Sequence, residues 1–124
     1  MTQKVRNKAV AIVDDDALLL ESLRDFFDAR GIENRVYKSA DDFLQSGDVG
    51  STRCVLTDLK MPGTTGLQLL EELVRQGGPP VCIMTAYAEV RAKRAAELSG
   101  AAGFLEKPIC AADLLAFIDS VRKP

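Results

Sequence analysis

Residues 54–76 read CVLTDLKMPGTTGLQLLEELVRQ, and three kinds of local structure follow one another there without a gap. Cys54, Val55 and Leu56 form a short apolar run that closes on Thr57 and Asp58. An apolar run of that length predicts a strand buried on both faces. The continuation LKMPGTTG, 59–66, is turn chemistry built on Pro62, Gly63 and Gly66,. From Thr65 onward Leu67, Leu70 and Leu73 or Val74 recur at helical spacing, and Gly77 stands where a helix would stop,. A strand that runs straight into a helix has no hairpin partner next to it in the chain. It belongs to a parallel sheet, whose strands need crossover connections.

The same unit recurs on either side. AVAIV, 9–13, is an apolar run ending at acids, and ALLLESLRDFFDARG, 17–31, reads as a helix with Leu19, Leu23, Phe26 and Phe27 toward one side,. ENRVY, 33–37, is a weak second strand. Ser39 is placed to cap a short helix, ADDFLQSG, with Asp42 at the third position of a capping box,. Pro79 and Pro80 delimit a fourth strand, VCIMT, 81–85, and AEVRAKRAAELSG, 88–100, predicts an alanine-rich fourth helix. AGFLE, 102–106, is the fifth strand, and AADLLAFIDSVRK, 111–123, the last helix, with Leu114, Leu115, Ile118 and Val121 inward. The order is (βα)5. An α/β doubly wound, five-stranded parallel sheet with helices on both faces follows, its reactive crevice at the carboxyl ends of the strands.

Composition narrows the chemistry. One domain accounts for 124 residues,. Sixteen basic and 18 acidic residues give a net charge of −2, without the basic stripe that nucleic-acid binding requires,. No apolar run is long enough for a signal peptide or a membrane span, so a cytoplasmic protein with no membrane partner is expected. Cys54, Cys82 and Cys110 fit no zinc or redox spacing and read as free structural thiols,. The chain contains no histidine. Any reaction must therefore use carboxylates, hydroxyls, lysine or cysteine.

Polar residues gather where strands end. Asp14, Asp15 and Asp16 follow the first strand, Asp58 closes the third, Thr85 closes the fourth, and Lys107 follows the fifth, just before Pro108. In a doubly wound sheet these ends share one edge. Carboxylates meeting there repel one another unless a cation lies between them. A hard divalent ion suits such an oxygen cluster, and Mg²⁺ tolerates a few protein ligands completed by water and phosphate. Asp16 is open to two readings, a further site acid or the cap of the first helix, the second being favoured. A lone Lys107 would be an ordinary surface lysine; its place at a strand end argues otherwise.

IVDDD, TDLKMPGTTG, MTA and GFLEKP, in this order and separation, resemble the two-component response-regulator receiver domains over residues 8–122, most closely those of transcriptional regulators. The resemblance implies a flavodoxin-like fold, with 1–7 an N-terminal extension and 123–124 a tail or the start of a linker. It implies that Asp58 accepts a phosphoryl group from a phosphohistidine on a sensor histidine kinase or histidine phosphotransfer protein. Mg²⁺ would be bound by Asp15, Asp58 and the Lys60 carbonyl, with Asp14 acting through water. Thr85 and Lys107 would hold phosphoryl oxygens, and Phe104 would turn inward as Thr85 moves. Met61 and Pro62 would shape the loop after the acceptor, Gly66 would allow a tight turn or close approach, and Ala86 would leave room over the phosphate. Lys60 and Tyr87 would tune the lifetime of the acyl phosphate. Pro108 would follow a cis bond. Such a domain catalyses its own phosphotransfer and slow autodephosphorylation without being a turnover enzyme.

Output would pass through the face of helix four, strand five and helix five, drawing on Arg91, Lys93, Arg94, Glu97, Asp113 and Asp119. Its partner would be another protein, a second copy or an attached output domain. Alanine-rich helix four should be the least firmly held. The competing reading is a degenerate receiver that binds partners without phosphorylation. A flavin-binding or phosphatase-type α/β protein fits less well. Three acids after the first strand repel a bare phosphate, and DDDAL lacks the threonine of the DxDxT phosphatase pattern.

Overall fold

The computed structural model describes residues 8–86 and 90–121. Along the chain lie β1 (Ala9–Val13), α1 (Ala17–Ala29), β2 (Asn34–Tyr37), α2 (Ala40–Gln45), a 3-10 turn (Val49–Ser51), β3 (Thr52–Asp58), α3 (Gly66–Gln76), β4 (Val81–Thr85), α4 (Val90–Leu98), β5 (Gly103–Glu106) and α5 (Ala111–Ser120). The five strands form one sheet in the order β2-β1-β3-β4-β5, and every pairing is parallel. From β1 the chain goes outward to β2, then returns to β3 on the opposite side. That reversal opens the crevice of a doubly wound sheet between the carboxyl ends of β1 and β3. None of the described helices is long and apolar enough to cross a membrane.

Strand alternation sorts the core into two layers. Val10, Ile12, Cys54, Leu56, Cys82 and Met84 face one side, where Leu20, Leu23 and Phe27 of α1 and Leu114, Phe117 and Ile118 of α5 pack on them. Ala11, Val13, Val55, Val81 and Ile83 face the other, against Ala40 and Phe43 of α2, Leu69, Leu70 and Leu73 of α3, and Ala96 of α4. All residues of β1 and β4 are buried, as expected of central strands covered on both faces.

Helix ends follow the side chains that precede them. The Asp16 carboxylate accepts from the amides of Leu18 and Leu19, which makes it the cap of α1. Ser39 accepts from Asp42 N–H at 3.0 Å. Thr65 and Gln68 form a reciprocal capping box, and Gly77 ends α3 in the left-handed region at φ 69°,.

Several expected details shift. β3 begins two residues before Cys54, because Thr52 is held by its hydroxyl to the Asp48 carbonyl (2.7 Å) and pairs with Ala9. In α3 the inward set is Leu69, Leu70 and Leu73, with Leu67 partly buried, whereas Val74 is half exposed. A helix starting at Gly66 turns position 74 away from the sheet. In α1 Leu20 is buried, while Leu19 and Phe26 only flank the core. Phe117, not Leu115, completes the buried face of α5. Cys54 and Cys82 are buried free thiols and Cys110 an exposed one.

Candidate functional site

Sheet register assembles the site. Val13 pairs with Thr57, so the next residue of each strand brings Asp14 beside Asp58 at the β1–β3 switch point. Thr85 pairs with Glu106 at the end of β4, which sets Lys107 next to it; the Lys107 amide donates to the Thr85 carbonyl at 2.7 Å. One carboxylate oxygen from each of Asp14, Asp15 and Asp58 lies within 4.8 Å of the others. Asp14 is fully buried, Asp58 partly and Asp15 exposed, so the cluster opens to solvent on the Asp15 side.

Lys107 bridges the two inner acids. Its Nζ donates to Asp14 Oδ2 at 2.9 Å and to Asp58 Oδ1 at 3.3 Å. Asp14 Oδ1 accepts the Asp16 amide at 2.9 Å, so both oxygens of this buried carboxylate are engaged. Asp58 Oδ1 also accepts the Leu59 amide at 3.0 Å. Among the described residues no hydrogen bond reaches Asp58 Oδ2, the oxygen left for chemistry.

Burial, then the charge of Asp14, raises the Asp58 pKa above the usual carboxylate range, against the pull of Lys107 and the Leu59 amide. Burial alone would lower the Lys107 pKa. The hydrogen bond and charge of Asp14, with Asp58 adding to them, outweigh it and raise the pKa. Three clustered acids, two of them held by the one ammonium, retain an excess of negative charge, which a hard dication would offset. The donor set, carboxylates with the loop carbonyl of Lys60, an exposed residue whose carbonyl accepts no hydrogen bond among the described residues, fits Mg²⁺,.

Beside this cluster a cavity of about 240 Å³ is lined by Asp58, Leu59, Lys60, Thr85, Ala86, Ala92 and Lys107. Larger hollows exist, one of about 610 Å³ between the 3-10 turn and α3. Among the described residues that hollow has Glu72 as its single charged wall residue, so we place the chemistry in the smaller cavity, where opposite charges converge.

Gly66 is explained by close approach. A Cβ there would collide with the Asp58 carbonyl oxygen and sit 3.0 Å from Leu59 Cα. Its amide donates to the Leu59 carbonyl at 2.9 Å, so α3 begins directly against the backbone of Asp58 and Leu59. Met61 is buried in the α3 layer and Pro62 is exposed. The Lys107–Pro108 bond is cis. Phe104 is partly buried against the α2–α3–α4 layer. Tyr87 lies outside the described residues. Arg91, Lys93, Arg94, Glu97, Asp113 and Asp119 are all exposed.

Two contributors were not picked out from the sequence. The Leu59 amide on Asp58 is a backbone group with no residue-type signature. Ala92 forms the α4 wall of the cavity, and an alanine among many in that helix carries no signal of its own.

The family model for the response regulator receiver domain matches residues 10–119. The transcriptional regulatory protein FixJ of Azorhizobium caulinodans is 37% identical over 110 residues, covering 88% of this chain and 52% of FixJ. The DNA-binding transcriptional regulator NtrC of Klebsiella pneumoniae is 32% identical over 110 residues, 87% of this chain and 23% of NtrC. The chain thus spans about half the length of FixJ, or less of a longer relative. Its fold superimposes on the crystal structure of FixJ-N with a TM-score of 0.83 at 28% identity over 94% of each chain. A receiver domain protein from Methanospirillum hungatei gives 0.81 at 27% identity over 92% of each.

Proposed function

The chain belongs to the response regulator receiver domains of two-component systems, and from that premise we propose that Asp58 is its phosphoacceptor. The observation that carries the proposal is the convergence of Asp14, Asp15, Asp58 and Lys107 beside a cavity open to a donor. Residues 8–122 form the working unit.

In the forward step an Asp58 carboxylate oxygen attacks the phosphorus of a phosphohistidine. The P–N bond breaks as the P–O bond forms, and the departing imidazole keeps the bond pair and takes up a proton. A free carboxylate is a modest nucleophile, so positioning and charge neutralisation supply most of the acceleration. The Leu59 amide and Lys107 fix Oδ1 and leave Oδ2 toward the incoming group. Lys107 shifts its ammonium from the acids to a phosphoryl oxygen as charge builds there. Thr85, at the end of β4, hydrogen-bonds a second oxygen, and Ala86 leaves space beside it. Asp15, Asp58 and the Lys60 carbonyl would hold Mg²⁺ directly, with Asp14 reaching it through water. Bound there, the ion supplies positive charge to the phosphoryl oxygens.

Phosphorylation then favours a state in which Thr85 and Phe104 have moved and the α4–β5–α5 face fits its partner. That partner is a second copy, an attached output domain or another protein. The donor is a sensor histidine kinase or a histidine phosphotransfer protein, and the compartment is the cytoplasm. The regulation of transcription named for FixJ and NtrC is theirs; as the output of this chain it is part of the same proposal.

Incubation with acetyl phosphate, with and without Mg²⁺, followed by intact-mass spectrometry tests the reading. A metal-dependent gain of about 80 Da per phosphoryl group, absent in Asp58→Ala, is expected. No gain in a folded, Mg²⁺-binding protein would favour a receiver that acts without phosphorylation.

A further inference from the structure

We infer that Asp41 of α2 is a positioning residue for the loop that follows the acceptor, holding it through Thr64. The inference rests on the reading above, because that loop carries Lys60, whose carbonyl is assigned to the metal. Asp41 and Thr64 lie 23 positions apart, yet the Thr64 hydroxyl donates to Asp41 Oδ1 at 2.7 Å. Asp41 Oδ2 lies 3.5 Å from where a side chain on Gly63 would begin, so the carboxylate sits directly over the Gly63–Thr64 turn.

The rest of the loop makes this contact matter. The loop is fixed at its ends, by Leu59 N–H on the Met84 carbonyl at 3.0 Å and by the Thr65–Gln68 capping box. Between them, Met61 supplies the apolar anchor. Among the described residues, the Asp41–Thr64 bond is the single hydrogen bond made by residues 60–64. Gly63, at φ 76°, adds no side chain of its own. Without the bond the loop tip would be held by Met61 alone, and the Lys60 carbonyl would spend part of its time away from the position a metal needs. An octahedral ion with short, strict ligand distances is sensitive to that freedom.

The test is Mg²⁺ affinity by isothermal titration calorimetry, beside amide hydrogen exchange of residues 60–65. Asp41→Ala and Thr64→Val should each weaken Mg²⁺ binding about five-fold, the effect of one hydrogen bond, and speed exchange in the loop. Asp41→Asn loses the charge but keeps an acceptor oxygen, and Thr64→Ser keeps the hydroxyl; both should stay near wild type. Equal losses in Asp41→Ala and Asp41→Asn would show a charge effect and overturn the tether, as would wild-type affinity in Thr64→Val. Thr64→Val conserves shape and carries the test even where Asp41→Ala folds poorly. Failure of the wild type to bind Mg²⁺ would overturn both the proposed function and this role. Wild-type binding with unaffected variants would overturn this role alone.

Discussion

Asp58 and Asp14 are neighbours that an apo site must keep apart or neutralise, and Lys107 does the second. The ammonium therefore has two effects of opposite sign. Under the proposed function it competes with a metal for the carboxylates, and it holds a phosphoryl oxygen. Lys107→Ala should bind Mg²⁺ several-fold more tightly than wild type while accepting phosphate from acetyl phosphate more slowly; calorimetry and intact-mass time courses read the two quantities separately. Weaker Mg²⁺ binding in that variant would contradict the electrostatic account. Gly66 offers a steric test at the same scale. Gly66→Ala forces a Cβ into the Asp58 carbonyl and should destabilise the fold by roughly 1–3 kcal/mol, the usual cost of overpacking, measurable as a lower urea midpoint. These residues were legible because a doubly wound sheet sends all its strand ends to one edge, so polar side chains at 14, 15, 58, 85 and 107 had to meet. The Asp41–Thr64 contact was not legible, since two common polar residues 23 apart carry no pattern until the loop between them is folded.

Among the elements, α3 shows how local chemistry places the site. Its capping box and the glycine approach bring its first turn onto the end of β3. Thr65→Ala removes one half of the box and should cost about 1 kcal/mol, or about 4 °C in Tm for a domain of this size; an unchanged Tm would mean that packing alone holds the turn. Strand and helix order was readable because apolar runs and helical spacing alternate without interruption. Which leucine faces inward was less so. Val74 and Leu73 are adjacent, and the choice between them depended on where the helix began, which the cap determines. The inward turn of Phe117 and the early start of β3 likewise depend on tertiary contacts, through the α1–α5 layer and the Asp48 carbonyl.

At the scale of the whole molecule, buried ionisable groups set a limit at high pH. Burial pushes the Cys54 and Cys82 thiols up to about 12 from an ordinary 9.0. Tyr37, through burial and its hydrogen bond to Asp48, rises to about 12 from 10.0. Each folded value lies above the unfolded one, so the unfolded chain loses these protons first. Stability from these groups is complete below pH 9 and declines as pH rises from about 9 to 12. Urea midpoints taken from pH 8 upward should fall across that window, and Tyr37→Phe should flatten its upper part; a constant midpoint would contradict the burial. The two thiols lie inside the sheet layers, and the Tyr37 hydroxyl donates to Asp48 at 2.7 Å and not to the acidic cluster, so their titration reports on the fold and leaves the proposed signalling chemistry to the strand ends.

That chemistry has one central claim, that the carboxylate of Asp58 and no other group takes the phosphoryl. Borohydride reduction after treatment with acetyl phosphate and Mg²⁺, followed by peptide mapping, reads it directly, since only an acyl phosphate is reduced to the alcohol. Homoserine at position 58 alone, and none when Mg²⁺ is chelated, is the predicted result. Reduction at Asp14 or Asp15, or modification of residue 58 that persists without the metal, would contradict it.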